Sequence, residues 1–441
     1  MLDLTNCLNW LNKKNKSTKV DIRQILLSSS DFWFYDISNS CIINRKNSFF
    51  SIYGAEFYYN DKFISEQPII IQDEIGYLGI ICKLIDGIPY FLMQAKIEPG
   101  NINVVQISPT IQATKSNFTR SHGGILPNYF NIFEQCKSKD IIYDQIQSEQ
   151  STRFKKKFNR NIIIKIDDEI EKMSDFEWIS YPQLMELMKI DNLVNMDTRT
   201  VISGMPFDLI KDNLAINNYW LKSIYSSDIN KELKTIFHRI NNLSMFDKAR
   251  TIIKPLNELR EWNVLDDGIY CKLEANFEVK YFDINIEGRE VHSWTQPLFC
   301  SKGSGLFGIF IKLINGEYKI LVKIRRFIGS NNYEISPTVQ LEFNELNCDS
   351  LNDINNKFIN KMNSKNNIMV DVVLSEEGGR FYHEQNRNVI ILLDEDLHIV
   401  DNDYVFVSLG TLKQIIKMTN YCNIQLRNLI SLINIFEKYE D

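Results

Sequence analysis

Ile107-Ser-Pro-Thr-Ile-Gln112 returns later in the chain as Ile335-Ser-Pro-Thr-Val-Gln340, 228 residues further on. Other blocks line up around this pair in the same order. Ser148-Glu-Gln-Ser-Thr-Arg-Phe-Lys-Lys-Lys-Phe-Asn-Arg-Asn161 faces Ser375-Glu-Glu-Gly-Gly-Arg-Phe-Tyr-His-Glu-Gln-Asn-Arg-Asn388. Asn195-Met-Asp-Thr-Arg199 and Ser203 face Asn423-Ile-Gln-Leu-Arg427 and Ser431, and Gln67-Pro68 and Gly79 face Gln296-Pro297 and Gly308. A constant spacing over separate blocks marks an internal duplication, in which one folding unit occurs twice. The expected organisation is an N-terminal arm at 1–20, a first module at 21–215, a helical connector at 216–248 and a second module at 249–441.

Within a module the pattern is mixed. Tyr77-Leu-Gly-Ile-Ile-Cys-Lys-Leu-Ile85 and Tyr90-Phe-Leu-Met-Gln-Ala-Lys96 read as two strands around an Asp86-Gly87 turn, and the second copy places Asn315-Gly316 at the same point. Asp-Gly and Asn-Gly are the dipeptides of tight hairpins. Ser180-Tyr-Pro-Gln predicts a capped helix start, with Ser180 as N-cap and Pro182 in the first turn. Ser408 opens the matching segment. The fold class is therefore α/β (α+β), with helices on a curved sheet in each copy.

The chain has 441 residues, enough for two cores, with 44% apolar and 24% charged residues and a net charge of −6. That balance excludes the basic field of a nucleic-acid or membrane-surface binder. Any polyanion would have to be held by local arginines. No apolar run approaches the roughly 18 residues of a spanning helix, and no secretory leader is legible. The eight cysteines form no CxxC pair and the five histidines are dispersed. A reduced, cytoplasmic protein without a metal site is expected.

The segment from Gln94 to Gly124 is richest in chemical groups. On the strand after the Glu98-Pro-Gly-Asn101 turn, Gln106, Ser108, Thr110, Gln112 and Thr114 alternate with apolar residues, which puts five uncharged polar groups on one face. Glu334, Ser336, Thr338 and Gln340 repeat it. Such a face suits the hydroxyls of a sugar or the edges of a base; the competing reading is a solvated outer face.

Phe91-Leu-Met-Gln-Ala-Lys-Ile-Glu-Pro-Gly-Asn-Ile-Asn-Val-Val-Gln-Ile-Ser-Pro-Thr-Ile-Gln-Ala-Thr-Lys-Ser-Asn117 resembles the signature of the NDP-hexose 2,3-dehydratases, as do the 375–388 block, Ser293-Trp-Thr-Gln-Pro-Leu298 and Asn195-Met-Asp-Thr-Arg-Thr-Val201. The resemblance extends over roughly residues 20–435. It implies two Nudix-like modules, a homodimer, and a dTDP-4-keto-6-deoxyglucose-like substrate. It also implies a product taken on by a 3-ketoreductase or 3-aminotransferase. The implied reaction needs no redox cofactor, and the sequence holds no P-loop. The RExxEExG run of a Nudix hydrolase is absent too, so only the fold would be shared.

A 4-ketosugar dehydratase needs a base for C3–H, a donor for the enolate and an acid for the C2 hydroxyl. Glu98 or His122 is the expected base and acid, Lys96 the enolate donor, and Tyr382 with His383 the rival pair. Asn101, Gln106, Thr110, Gln112, Thr114, Asn117, Gln296, Thr338 and Gln340 are expected to contact the nucleotide sugar. Arg120, Arg153, Arg160, Arg380 and Arg387 are candidates for the diphosphate, with structural ion pairs as the alternative. Trp294 is a candidate for stacking on the base. The copies diverge in complementary ways. At the positions of Lys96, Glu98, Pro99 and Gly100 the second carries Arg325, Phe327, Ile328 and Gly329, followed by a one-residue deletion. Gly378-Gly379 and Tyr382-His383 face Ser151-Thr152 and Lys155-Lys156 in the first. One working pocket, with the first module favoured, and a vestigial second pocket are expected. A non-catalytic sugar-nucleotide binder and a 4-ketosugar isomerase remain the alternatives.

Overall fold

The computed structural model describes residues 2–46, 49–115, 126–210, 215–287, 291–346, 351–399 and 402–436. Each copy contributes a seven-stranded sheet of the same order. In the first copy the path runs Ile141–Ser148, Phe158–Lys165, Ile75–Ile85, Ile88–Ile97, Phe176–Ser180, and in the second Ile368–Ser375, Gln385–Leu393, Leu306–Ile314, Glu317–Arg325, Tyr404–Ser408. The architecture is mixed α/β, and the duplication read from the sequence is visible strand for strand.

The local predictions follow from backbone chemistry. Asp86 and Gly87 have φ of 51° and 76°, and Asn315 and Gly316 have 52° and 78°. Two successive positive φ values match the twist of the flanking strands, and Ile85 pairs with Ile88 across the turn. Ser180 accepts from Gln183 N–H at the start of the helix Tyr181–Leu187, and Ser408 accepts from Thr411 N–H at Leu409–Ile416. The segment after the first copy is two helices, Asn218–Ile224 and Ile229–Phe246.

The polar return strand departs from its expected form. It breaks at Pro109, which cannot donate to a ladder. Val105–Ser108 pairs with Ile88–Ile97, while Ile111–Ala113 pairs with Ile75–Ile85. Its polar face points into protein, because Gln106, Ser108 and Thr110 are all buried.

Each copy also has a smaller sheet, and here the copies exchange strands. Val20–Ile25, at the start of the first copy, pairs antiparallel with Phe277–Ile286 of the second. Arg250–Lys254, at the start of the second, pairs with Ser51–Tyr59 of the first. The main core is continuous across the copies, joining Leu78, Ile107 and Trp220 with Ile309, Ile335 and Leu412. The helices Met196–Ile202 and Ile424–Ser431 pack against each other. There Arg199 donates to Ser375 O at 2.8 Å, and Arg427 to Ser148 O at 2.6 Å. Neither smaller sheet is complete without the other copy.

Candidate active site

The site begins with the two segments that diverge between the copies, because they touch. Gly100 N–H donates to Gly378 O at 2.7 Å, and His383 N–H donates to Gly100 O at 2.9 Å. A Cβ on Gly100 would lie 1.6 Å from Phe381 O, and one on Gly378 would lie 3.0 Å from Glu98 Cβ. The Glu98–Asn101 turn of the first copy and the Glu377–His383 segment of the second therefore form one structure. Glycine is required where two backbones approach this closely.

Beside this junction opens a cavity of about 600 Å³, within the roughly 300–1,000 Å³ of small-molecule sites. The first copy lines it with Lys96, Glu98, Gln112, Thr114, Glu149, Lys157 and Asp197. The second supplies Trp294, Gln296, Glu377 and Arg380. Gln112 organises the first wall: its carbonyl accepts from Lys96 Nζ at 2.6 Å and its amide donates to Glu98 Oε1 at 2.8 Å. Asn195, the N-cap of the helix carrying Asp197, in turn donates to Gln112 Oε1 at 2.9 Å. Glu98 Oε2 is buried without a hydrogen-bond partner among the described residues. On the second wall Gln296 donates to Gly379 O at 2.7 Å, and Trp294 Nε1 donates to Gln296 Oε1 at 2.8 Å. Arg380 lies over Phe49 and Phe50 and donates to Gln72 Oε1 at 3.1 Å; its Nε has no partner among the described residues.

The electrostatics are those of crowded, desolvated acids. Burial, then repulsion from Glu98, raises Glu377 to about 8. Burial, then Glu149, Glu377 and Glu98, holds Asp197 well above the usual carboxylate range. Burial lowers Lys157, on the same wall, to about 8 against the pull of Glu74. Acids with raised affinity for their protons thus lie near Lys157 and Arg380, the kind of perturbed cluster that marks candidate acid–base sites.

Several expected contacts are consumed by the fold instead. Gln106 donates to Asn192 O and to Ser375 Oγ, both at 2.8 Å. Thr110 Oγ1 donates to Leu92 O and accepts from Ile81 N–H. Thr338 makes the same pair of bonds with Leu321 and Phe310, and Gln340 accepts from Asn423. Thr110 and Thr338 bridge the kinked strand to its neighbours, Gln106 and Gln340 bind other parts of the fold, and none of the four lines the cavity. Arg160 forks onto Asp144 and Arg387 onto Asp371, outside the cavity. Arg153 is buried against Glu342 at 2.7 Å and over Phe277. Of the expected arginines that are described, only Arg380 lines the cavity. Asn101 donates to Val104 O beneath the turn. Tyr382 stacks between Phe282 and His383, and neither Tyr382 nor His383 lines the cavity. Asn117, Arg120 and His122 lie outside the described residues.

Sequence reasoning passed over Asp197, Glu149, Glu377 and Lys157. All four sit inside the repeated blocks, opposite Gln425, Glu376, Gln150 and Glu384. Three of the four change charge between copies, and that asymmetry was a signal available in the sequence.

The family model for NDP-hexose 2,3-dehydratase matches residues 4–205 and 233–433, and the chain belongs to that family. Two matched segments in one chain are compatible with the duplication. A dTDP-4-dehydro-6-deoxy-alpha-D-glucopyranose 2,3-dehydratase of Saccharopolyspora spinosa is 32% identical, over 98% of this chain and 92% of its own length. Proteins of the same name from Streptomyces violaceoruber and Amycolatopsis orientalis are 33% and 30% identical, over 96% of this chain and 95% and 89% of theirs. Among solved structures, one of an ADP compounds hydrolase covers 40% of this chain at 12% identity with a TM-score of 0.26, a likeness that carries no argument. Among the described residues no helix is long and apolar enough to cross a membrane.

Proposed function

We propose that the chain eliminates water across C2–C3 of dTDP-4-keto-6-deoxyglucose in the cavity between its two copies. The observation that carries this is Gln112, which holds a carboxylate and an ammonium group, Glu98 and Lys96, side by side at the cavity wall. Glu98 takes the C3 proton, made acidic by the C4 ketone. Lys96 stabilises the C4 enolate oxygen that forms. The electron pair returns to expel the C2 oxygen, which leaves as water, and a C2–C3 enol remains. Tautomerisation yields a 3,4-diketo-2,6-dideoxy sugar. Arg380 is the cation for the diphosphate, and Trp294, hydrogen-bonded to Gln296, is a platform for the base.

The module boundaries at 21–215 and 249–441 are part of the same reading, the division into two units being supported by the equivalent sheets. A Nudix-like fold in each copy rests on the family resemblance alone. A 3-ketoreductase or 3-aminotransferase that consumes the reactive product belongs to the same reading. The test is conversion of dTDP-4-keto-6-deoxyglucose by the purified protein with such a reductase present. A 2-deoxy product is expected. A product that keeps its C2 oxygen would identify an isomerase, and binding without C3 exchange a non-catalytic binder.

A further inference from the structure

The elimination needs an acid at C2, and neither Tyr382 nor His383 lines the cavity. We infer that Glu377, contributed by the second copy, is the catalytic acid that protonates the departing C2 hydroxyl. The inference rests on the dehydratase reading above.

The order of groups around the cavity carries it. In the substrate the diphosphate is bonded to C1, and C2, C3 and C4 follow in turn. The acid must therefore stand nearest the phosphate anchor, then the base, then the enolate donor. Glu377 and Arg380 belong to one tight turn: Arg380 N–H and Phe381 N–H both donate to Glu377 O, at 3.4 and 3.1 Å. Gly378, next to Glu377, packs on Glu98 Cβ. Lys96 follows, joined to Glu98 through Gln112. The sequence Arg380, Glu377, Glu98, Lys96 thus reproduces the sequence diphosphate, C2, C3, C4. Asp197, also buried at the cavity, comes from the helix behind Gln112 and Asn195 and has no such tie to the anchor.

Charge agrees with geometry. Glu377 faces Glu98, Glu149 and Asp197, with Lys157 and Arg380 also near. Burial and the Glu98 carboxylate keep its proton on to about pH 8. Its Oε1 accepts from Gly379 N–H at 3.0 Å, which leaves Oε2 to carry that proton. In the step, the C2–O bond breaks, Oε2–H passes its proton to the leaving oxygen, and water and the Glu377 carboxylate result. The C3 proton received by Glu98 balances the charge.

The experiment compares the natural substrate with its 2-deoxy-2-fluoro analogue, because fluoride leaves without protonation. Glu377→Gln is expected to lose water elimination by about 100-fold or more. It is expected to keep fluoride release and C3 hydrogen–deuterium exchange near native rates. Retained water elimination in this variant overturns the inference. So does equal loss of fluoride release in a variant that binds thymidine diphosphate normally, or the same signature appearing in Asp197→Asn instead. The native protein supplies a check that needs no variant: water elimination should fall as pH rises through about 8 while fluoride release does not. Parallel pH profiles overturn the inference. Absence of both C3 exchange and product from the native protein contradicts instead the dehydratase reading on which it rests.

Discussion

Glu98 illustrates how one side chain can be prepared for a reaction. One carboxylate oxygen is fixed by Gln112, and the other is buried with no partner among the described residues. Leaving a buried polar atom unpaired costs about 1–3 kcal/mol, a cost that a substrate proton can offset. Glu98→Gln should therefore lower turnover by about 100- to 10,000-fold and abolish C3 exchange, measured by deuterium incorporation, while thymidine diphosphate binding stays. Arg380→Gln should act in the opposite sense, weakening nucleotide binding, as titration calorimetry would show. Glu384, which replaces Lys157 in the second copy, tests the buried acids away from the cavity. Burial raises it to about 8 despite Arg153. The folded state holds its proton more tightly than the unfolded state. Its contribution to stability is thus full below the ordinary glutamate range and is lost as pH rises toward 8. Glu384→Gln should flatten the fall in Tm between pH 5 and 8.5, read by calorimetry.

At the scale of elements, hairpins and helix caps were legible in the sequence because their causes are local. Asp86-Gly87, Asn315-Gly316, Ser180 and Ser408 need only their neighbours to act. The polar return strand was not legible in the same way. Alternation showed which residues share a face, but only the fold shows that Gln106 and Thr110 face protein rather than ligand. The arginines divide likewise. Nothing in the local sequence separates Arg380 from Arg160, since the Asp144 that claims Arg160 lies on another strand. The junction of the two turns makes a sharp demand on Gly100. Gly100→Ala would drive a Cβ into Phe381 O, and overpacking of this kind typically costs about 1–3 kcal/mol. A lowered Tm together with lost activity is expected, because the same contact positions Glu98 against Glu377.

For the whole molecule, the duplication is more than a repeated fold. The first strand of each copy completes a sheet of the other, and Arg199 and Arg427 reach across to carbonyls of the opposite copy. The complementary divergence of the blocks is explained by their meeting place. Lys96 and Glu98 differ from Arg325 and Phe327, and Gly379 from Thr152, where the two segments border one cavity. Opposite Glu98 and Asp197 the second copy carries Phe327 and Gln425, and Arg153 of the first copy, equivalent to Arg380, is paired with Glu342. Fragments 1–230 and 231–441 expressed separately should each lack activity and recover it on co-expression, checked by the coupled reductase assay.

The most direct measurement is a crystal structure of the protein with bound thymidine diphosphate. The phosphates should lie against Arg380 of the second copy, with Lys96 and Glu98 of the first copy bordering the space where the sugar continues. A nucleotide held within a single copy, away from Arg380 and with this cavity empty, would contradict an active site shared between the two.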